Sequence, residues 1–314
     1  MTASPAAAEL LTLLQVRGIG PATLLKIMRS ARGRDVVAHA VSIRPELEGV
    51  PLTEAQHRAE AVVRSCERDD IAIIGYCDPD YPEPLRRIPD PPAVLYARGN
   101  VGALRQCGLA VVGTRRASPS GVRIAGAIAS HLAERRIAVV SGLALGIDRA
   151  AHQGALDAGG ITVAVLAHGL DTVSPRSHAY LADDIVCHDG ALLSEHPPGT
   201  PPRPAEFVRR NRIQSGISVG SVVVESGQTG GSIHQARFTA RQERLLLTVL
   251  KSAQSDDLNQ AGAHRLVSEL GAIPIRTMTD LDAQLDGIVP LAERVGAADL
   301  CEPQQVAVQS RFEL

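Results

Sequence analysis

From Gly108 onward the chain alternates wholly apolar runs with longer stretches of helical character. The runs have strand length: LAVVG (109–113), IAVVSG (137–142), ITVAVLA (161–167), ALLSE (191–195), SVVVES (221–226) and RLLLTVL (244–250), with a shorter AIPIR at 272–276. They lack strict apolar–polar alternation, as expected of strands covered by helices on both faces. Between them lie segments such as GVRIAGAIASHLAERR and LGIDRAAHQGALDAGG. Crossovers of this kind are right-handed and build a mostly parallel sheet. The pattern predicts an α/β, extended Rossmann-like, doubly wound fold, with ligands held beyond the C-terminal ends of the strands.

The first part of the chain follows a different pattern. Residues 1–66 read as short helices, and 67–107 as a Pro-rich, extended lead-in ending near PDPPAVLYARGN. VRGIGPATLLKIM (16–28) places a Gly-apolar-Gly turn before a Pro and a helix, the spacing of a helix–hairpin–helix (SAM-like) domain. Gly18 and Gly20 would bring the backbone N–H groups of that turn close to a DNA phosphate. The plainer reading is a packing turn in a small helical domain. LEGVPLTEAQHRAEAVV (47–63) reads as a weaker second copy. Three regions are therefore expected: a helical domain at 1–66, a core at 67–285, and a tail at 286–314.

Composition narrows the classes. Apolar residues make up 45% of the chain and aromatics 2%, with no Trp, so Leu, Val, Ile and Ala must fill the core. The five cysteines are scattered without a CxxC pair, against a disulfide scaffold or a zinc site. No bound metal or cofactor is expected. No apolar stretch approaches membrane-spanning length, and no basic segment precedes an apolar run at the N-terminus, so a cytoplasmic protein is expected. The net charge of −2 excludes a globally basic nucleic-acid binder but not a local basic patch. Nearly all the cations are Arg, the side chain suited to forked phosphate contacts.

The candidate chemistry lies at the strand ends. The first strand runs into VVGTRRASPSG (111–121), where Gly113, Thr114, Arg115 and Arg116 sit at an anion-binding position and Ser118 or Ser120 can cap the next helix. GxGxxG is absent, which argues against a nicotinamide site. The second runs into SGLALGIDRAAH (141–152), with Ser141, Gly142, Gly146 and Asp148. Asp148 and His152 are four residues apart and share a helix face, so they invite two readings: an acid–base pair, or a cap with a hydrogen-bonded neighbour. The fourth strand leads through a Pro-rich loop to Phe207, Arg209, Arg210, Asn211 and Arg212, more cations than Glu206 alone can neutralise. The fifth strand ends in VVESGQTGGS, where Gly230, Gly231 and Ser232 open a helix and form a phosphate-compatible nest. Glu225 at its tip is placed to hold a ribose hydroxyl or to anchor Arg115. Several anion-friendly loops on one sheet edge suit a string of phosphates better than a mononucleotide.

Taken in order, VVGTRRASPSG, SGLALGIDRAAHQGAL, GGITVAVLAHGLD, LLSEHPPGTPP, FVRRNRIQSGIS and VVVESGQTGGS resemble the DprA/Smf family of DNA-processing proteins, over about residues 10–250. The resemblance implies a homodimer without catalytic residues. Such a protein binds single-stranded DNA, protects it and helps load the RecA recombinase during natural transformation. It assigns the DNA pocket to Gly113, Thr114 and Arg115, to Ser141, Gly142, Gly146 and Asp148, and to Arg210, Asn211 and Arg212, closed by Gly230–Ser232. The chain departs from the family at Ala167 (usually Gly), Ser174 (usually Tyr), Gly230 (usually Ser) and His234–Gln235 (usually Ile/Thr). It also has TVLKSAQSDD where a Pro-Gly is usual, and it lacks the usual Gly-Arg pair before the sixth strand.

Two other functions use the same fold. A nucleotide hydrolase similar to the Lonely-guy family needs a PGGxGTxxE loop, and TGGSIHQ (229–235) lacks its Pro, its Gly-Thr and its Glu. A nucleotide sensor, for instance in phage defence, would use the same pocket for one nucleotide and recruit a partner through residues 1–66.

Overall fold

The computed structural model describes residues 3–31, 35–47, 49–251 and 258–296. Residues 252–257, in the divergent TVLKSAQSDD stretch, and 297–314 of the expected tail lie outside the described residues.

Four helices come first: α1 (Pro5–Leu14), α2 (Pro21–Ala31), α3 (Val36–Ile43) and α4 (Val50–Arg68). Ser4 and Asp35 cap α1 and α3 by accepting hydrogen bonds from Ala7 N and Ala38 N. Gly18 and Gly20 lie in the turn between α1 and α2, where Gly18 has φ of 86° and no neighbouring group crowds either residue. The apolar faces of these helices share a core with the sheet: Leu10, Leu24 and Ala55 belong to one cluster with Tyr96, Ala164 and Leu192.

The Pro-rich lead-in is more ordered than its composition suggests. It forms β1 (Ala72–Gly75), the short helix α5 (Glu83–Arg86) and β2 (Val94–Gly99). β1 pairs antiparallel with β2, which pairs antiparallel with a core strand through Tyr96↔Ser194 and Arg98↔Leu192. The sequence showed only extended character here, because the two strands are short and the segment between them is rich in proline.

The core follows the alternation read from the sequence: β3 (Gly108–Val112), α6 (Pro119–Glu134), β4 (Ala138–Ser141), α7 (Ile147–Asp157), β5 (Thr162–Val165), α8 (Ala179–Cys187), β6 (Ala191–Ser194), α9 (Pro204–Gly216), β7 (Gly220–Val223), α10 (Gly231–Arg241), β8 (Leu245–Val249), α11 (Ala261–Leu270) and β9 (Ile273–Ile275). Two more helices, α12 (Met278–Leu285) and α13 (Ile288–Val295), close the described chain. The nine strands form one sheet in the order β1-β2-β6-β5-β4-β3-β7-β8-β9, and every pair from β6 to β9 is parallel. This is the expected Rossmann-like architecture. One face is covered by α6, α7, α12 and α13, the other by α5, α9, α10 and α11, which is why the central strands are buried on both sides. No described helix is long and apolar enough to cross a membrane.

Two details bear on the sequence reading. Ile288, Ala292 and Val295 of α13 pack in the same cluster as Leu281 and Ile124, so packed structure continues past residue 285. Glu243 takes a left-handed φ of 55°, the conformation that glycine adopts most easily, and is followed by the buried Arg244.

The chain runs β3, β4, β5, β6 in one direction, then returns to place β7 on the other side of β3. The loops after β3 and β7 thus diverge from neighbouring strands, and this is where a crevice opens in such sheets.

Candidate nucleic-acid interface

A cavity of about 490 Å³ lies at that switch point. The loop after β3 contributes Gly113, Thr114 and Arg115 to its wall; the loop after β4 and α7 contributes Asp148. α9 contributes Phe207, Arg210 and Asn211, and the start of α10 contributes Gly230, Gly231 and Ser232. Ten of the residues singled out from sequence therefore line one space. Its size is in the range of small-molecule and cofactor pockets.

The loop after β3 is held from β7. Thr114 N donates to the Glu225 carbonyl at 2.8 Å, and the Thr114 hydroxyl accepts from Arg116 N at 3.2 Å. Ser118 caps α6 through Gly121 N, and the Glu225 carboxylate accepts from both Ser118 N (2.9 Å) and the Ser118 hydroxyl (3.0 Å). The other carboxylate oxygen accepts from Asn259 N at 3.1 Å. Glu225 thus neither anchors Arg115 nor reaches into the cavity, as its place at the strand tip had suggested. It fills the N-terminus of α6. Arg115 instead lies 5.2 Å from the ring centroid of Phe207, a cation–π pair on the cavity wall. Arg116 is exposed beside the cavity and does not line it.

The loop after β4 is held from within. Asp148 accepts from Gly142 N (3.2 Å) and Ala144 N (3.4 Å). Burial pushes its carboxyl pKa up, while Arg210 and those backbone bonds pull it back. Leu143, at φ 57°, donates its N–H to His152 Nε2 (3.3 Å) and accepts from His178 Nδ1 at its carbonyl (2.8 Å). His152 Nε2 is therefore an acceptor, so the proton sits on Nδ1 and is donated to Thr162 Oγ1 (2.7 Å), which donates to the Val139 carbonyl (2.8 Å). Burial lowers the His152 pKa to about 3 and keeps the ring neutral. The hydrogen bond expected between Asp148 and His152 does not form, because His152 turns to the loop and to β5. Both candidate acid–base groups hold the loop in shape.

Ser141, Gly142 and Gly146 support the site from behind its wall. The Ser141 hydroxyl donates to the Val111 carbonyl. A Cβ on Gly142 would lie 2.6 Å from the Arg210 guanidinium, and one on Gly146 would lie 2.4 Å from the Thr114 carbonyl, with φ already at 77°. These two glycines let the β3 and β4 loops and Arg210 pack against one another.

The three arginines of α9 have three different environments. Arg210 is buried; its Nε donates to Asn211 Oδ1 (3.2 Å) and one terminal nitrogen donates to the carbonyls of Gly142 and Val165. Burial lowers its pKa to about 10, and it remains charged at the cavity wall. Asn211 donates to the Gly231 carbonyl (3.0 Å), tying α9 to the start of α10. Arg212 points the other way. It is 3% exposed, forks onto both oxygens of Glu195 (3.0 and 2.7 Å) and donates to Asp90 (3.0 Å). Arg209 lies near Glu195 (3.6 Å) and Glu206 (3.9 Å). The expectation that these arginines exceed the local acids is corrected for Arg209 and Arg212: Glu195 comes from the residue just after β6 and Asp90 from the Pro-rich lead-in. Neither arginine lines the cavity.

At α10 the helix N-terminus is open. Gly230 is its N-cap with φ of 128° and no side-chain cap, and nothing crowds Gly230 or Gly231. Ser232 exchanges a hydrogen bond with Ser226 (2.9 Å). The first N–H groups of α10 are thus available to an anion. Among the further lining residues, two carry amides that the sequence did not mark as binding groups: Gln214 and Gln235. Their only signal was an amide at a buried helix position, which is weak without the fold. Among the described residues Glu195, His196 and Glu206 bring ligand-type atoms within 4.8 Å, but the Arg212 fork already neutralises Glu195.

Comparison with known proteins agrees with the fold. Residues 72–286 match the family model of DNA recombination-mediator protein A. Protein Smf of Escherichia coli strain K12 is 44% identical over 164 residues, covering 52% of this chain and 44% of that protein. The chain thus spans about half the length of curated relatives such as this one. The X-ray structure of DNA processing protein A (DprA) from Streptococcus pneumoniae superposes with a TM-score of 0.75 at 29% identity, covering 90% of this chain and 98% of that one. DNA processing protein A from Helicobacter pylori, whose structure is described in terms of a single-stranded DNA binding mode, shares the fold with a TM-score of 0.61 at 23% identity, over 69% of this chain and 96% of that one. The chain belongs to the DNA recombination-mediator protein A family, to which the DprA and Smf proteins belong.

Proposed function

We propose that this protein binds single-stranded DNA at the switch-point cavity and acts on it by holding and presenting it. The observation that carries this reading is the open N-terminus of α10, at Gly230–Ser232, which faces Arg115 and Arg210 across one cavity. Phosphates would sit against the α10 N–H groups and the two guanidiniums, with a neighbouring base on the exposed part of Phe207. The described single-strand binding mode of the Helicobacter pylori protein of the same fold supports this reading. A binding role fits the spent hydrogen bonds of Asp148, His152 and Glu225. Protection of an incoming strand, assistance to a RecA-type recombinase and action as a homodimer in the cytoplasm belong to the same proposal. The α1–α2 turn at Gly18 and Gly20 offers a second, weaker phosphate contact.

The test is a fluorescence titration with single- and double-stranded oligonucleotides at two salt concentrations, with a nucleoside monophosphate as competitor. Tighter binding of the single strand, weakened steeply by salt, is the expected result. Equal affinity for both forms contradicts the reading. Saturation by the monophosphate, with loss of strand binding, favours a nucleotide sensor instead.

A further inference from the structure

The cavity is not uniform. α9 presents Phe207, Arg210, Asn211 and Gln214 to it, at the i, i+3, i+4, i+7 spacing of a single helix face. Along that face the chemistry changes from aromatic, through cation and amide, to the carboxamide of Gln214, which is 1% exposed. Val112 and Gln235 line the same cavity.

Gln235 is fully used by the protein. With its amide oriented to satisfy both ends, its NH2 donates to the Asn211 carbonyl (2.9 Å), and its oxygen accepts from the Ser221 hydroxyl and Ser215 N (both 3.2 Å). Gln214 is not: its Nε2 is buried and meets no acceptor. A buried amide left in this state typically costs about 1–3 kcal/mol, so such a group calls for a partner. A phosphate suits it poorly, since phosphate oxygens are bound better by the guanidiniums and helix N–H groups already in the cavity. A nucleobase edge suits it well. It sets donors beside acceptors in a plane, and a glutamine amide matches it with one donor and one acceptor. The terminal torsion of glutamine is soft, so either end of the amide can turn to the cavity.

We propose that Gln214 reads the edge of one nucleobase at the floor of the cavity, making it a base-reading pocket as well as a phosphate trough. This rests on the strand-binding reading above and adds a base requirement to it. The floor takes a flat, apolar-faced ring with polar edges, and the cationic rim takes the flanking phosphates.

The test compares short oligonucleotides with abasic phosphodiester oligomers of the same length, on the native protein and on Gln214→Leu and Gln214→Glu, with thermal melts to confirm folding. The expected result is about a fivefold loss for the base-bearing strand in Gln214→Leu, the scale of one neutral hydrogen bond, with abasic affinity unchanged. Gln214→Glu should change the preference among homopolymers of different base. Equal losses for base-bearing and abasic oligomers, or no change for either, overturn the base-reading role and leave strand binding intact. If no oligomer binds but nucleoside monophosphates bind with a base preference that Gln214→Leu removes, the strand reading fails and the base-reading role stands. If neither class binds, both fail.

Discussion

Two strand-to-helix turns flank the cavity, after β3 and after β7, and both look like anion sites in sequence. Their fates differ. The N-terminus of α6 is occupied by the protein's own Glu225 carboxylate and the Ser118 cap. The N-terminus of α10 has no side-chain cap and opens into the cavity. The same contrast holds within α9, where Arg212 is locked onto Glu195 and Asp90 while Arg210 lines the cavity. A binding group is distinguished from a structural one by whether the fold has already supplied its counter-charge.

This contrast can be broken at several points. The largest effect is expected at the closed arginine. Arg212→Ala leaves Glu195 buried without its forked partner and should cost about 3–5 kcal/mol of stability in urea unfolding. Strand affinity of the folded protein should change less than about twofold, well below one hydrogen bond; a larger change would place Arg212 on the DNA. Emptying the closed helix by Glu225→Ala should cost about 2–3 kcal/mol, the scale of charge-assisted hydrogen bonds. Closing the open helix by Gly231→Asp does the reverse. Stability should hold or rise by up to about 1 kcal/mol from the dipole, while strand affinity falls about tenfold as the carboxylate takes the phosphate's place. Unchanged affinity in that variant would remove α10 from the binding site. Arg115→Ala should weaken strand binding by about 1–2 kcal/mol with little change in melting.

The loop after β4 adds a pH dependence. His152 has a pKa of about 3 when folded, against the ordinary 6.5 when unfolded. The unfolded chain therefore takes its proton first. The stability from this group is complete above about pH 6.5 and falls by about 1.4 kcal/mol per pH unit as the pH drops towards 3. Urea unfolding at about pH 7 and 5.5 measures it, and a flat profile would mean that the His152 ring is not held buried and neutral in solution.

The seven apolar runs became seven strands; for the central ones, burial on both faces imprints a pattern that is local in sequence. The helix starts at Ser118 and Gly230 were legible for the same reason, as caps and glycine turns act within a few residues. The two antiparallel strands at 72–75 and 94–99 were not, since their pairing is non-local and their composition resembles a loop. At the site, the residues were named more accurately than their roles. Glu225 seemed to point at a ligand and caps a helix; Gln214 was not singled out and lines the cavity.

Local patterning in the sequence was enough to specify the doubly wound sheet, the strand ends where a ligand must sit, and ten of the residues along the cavity wall. Its hydrophobic period and its turn residues act at short range, and they are enough for that. Which charges remain unpaired there was set by contacts that form only on folding. Asp90, Glu195 and Glu225 reach Arg212 and Ser118 from distant parts of the chain, and electrostatic neutralisation depends on distance in space.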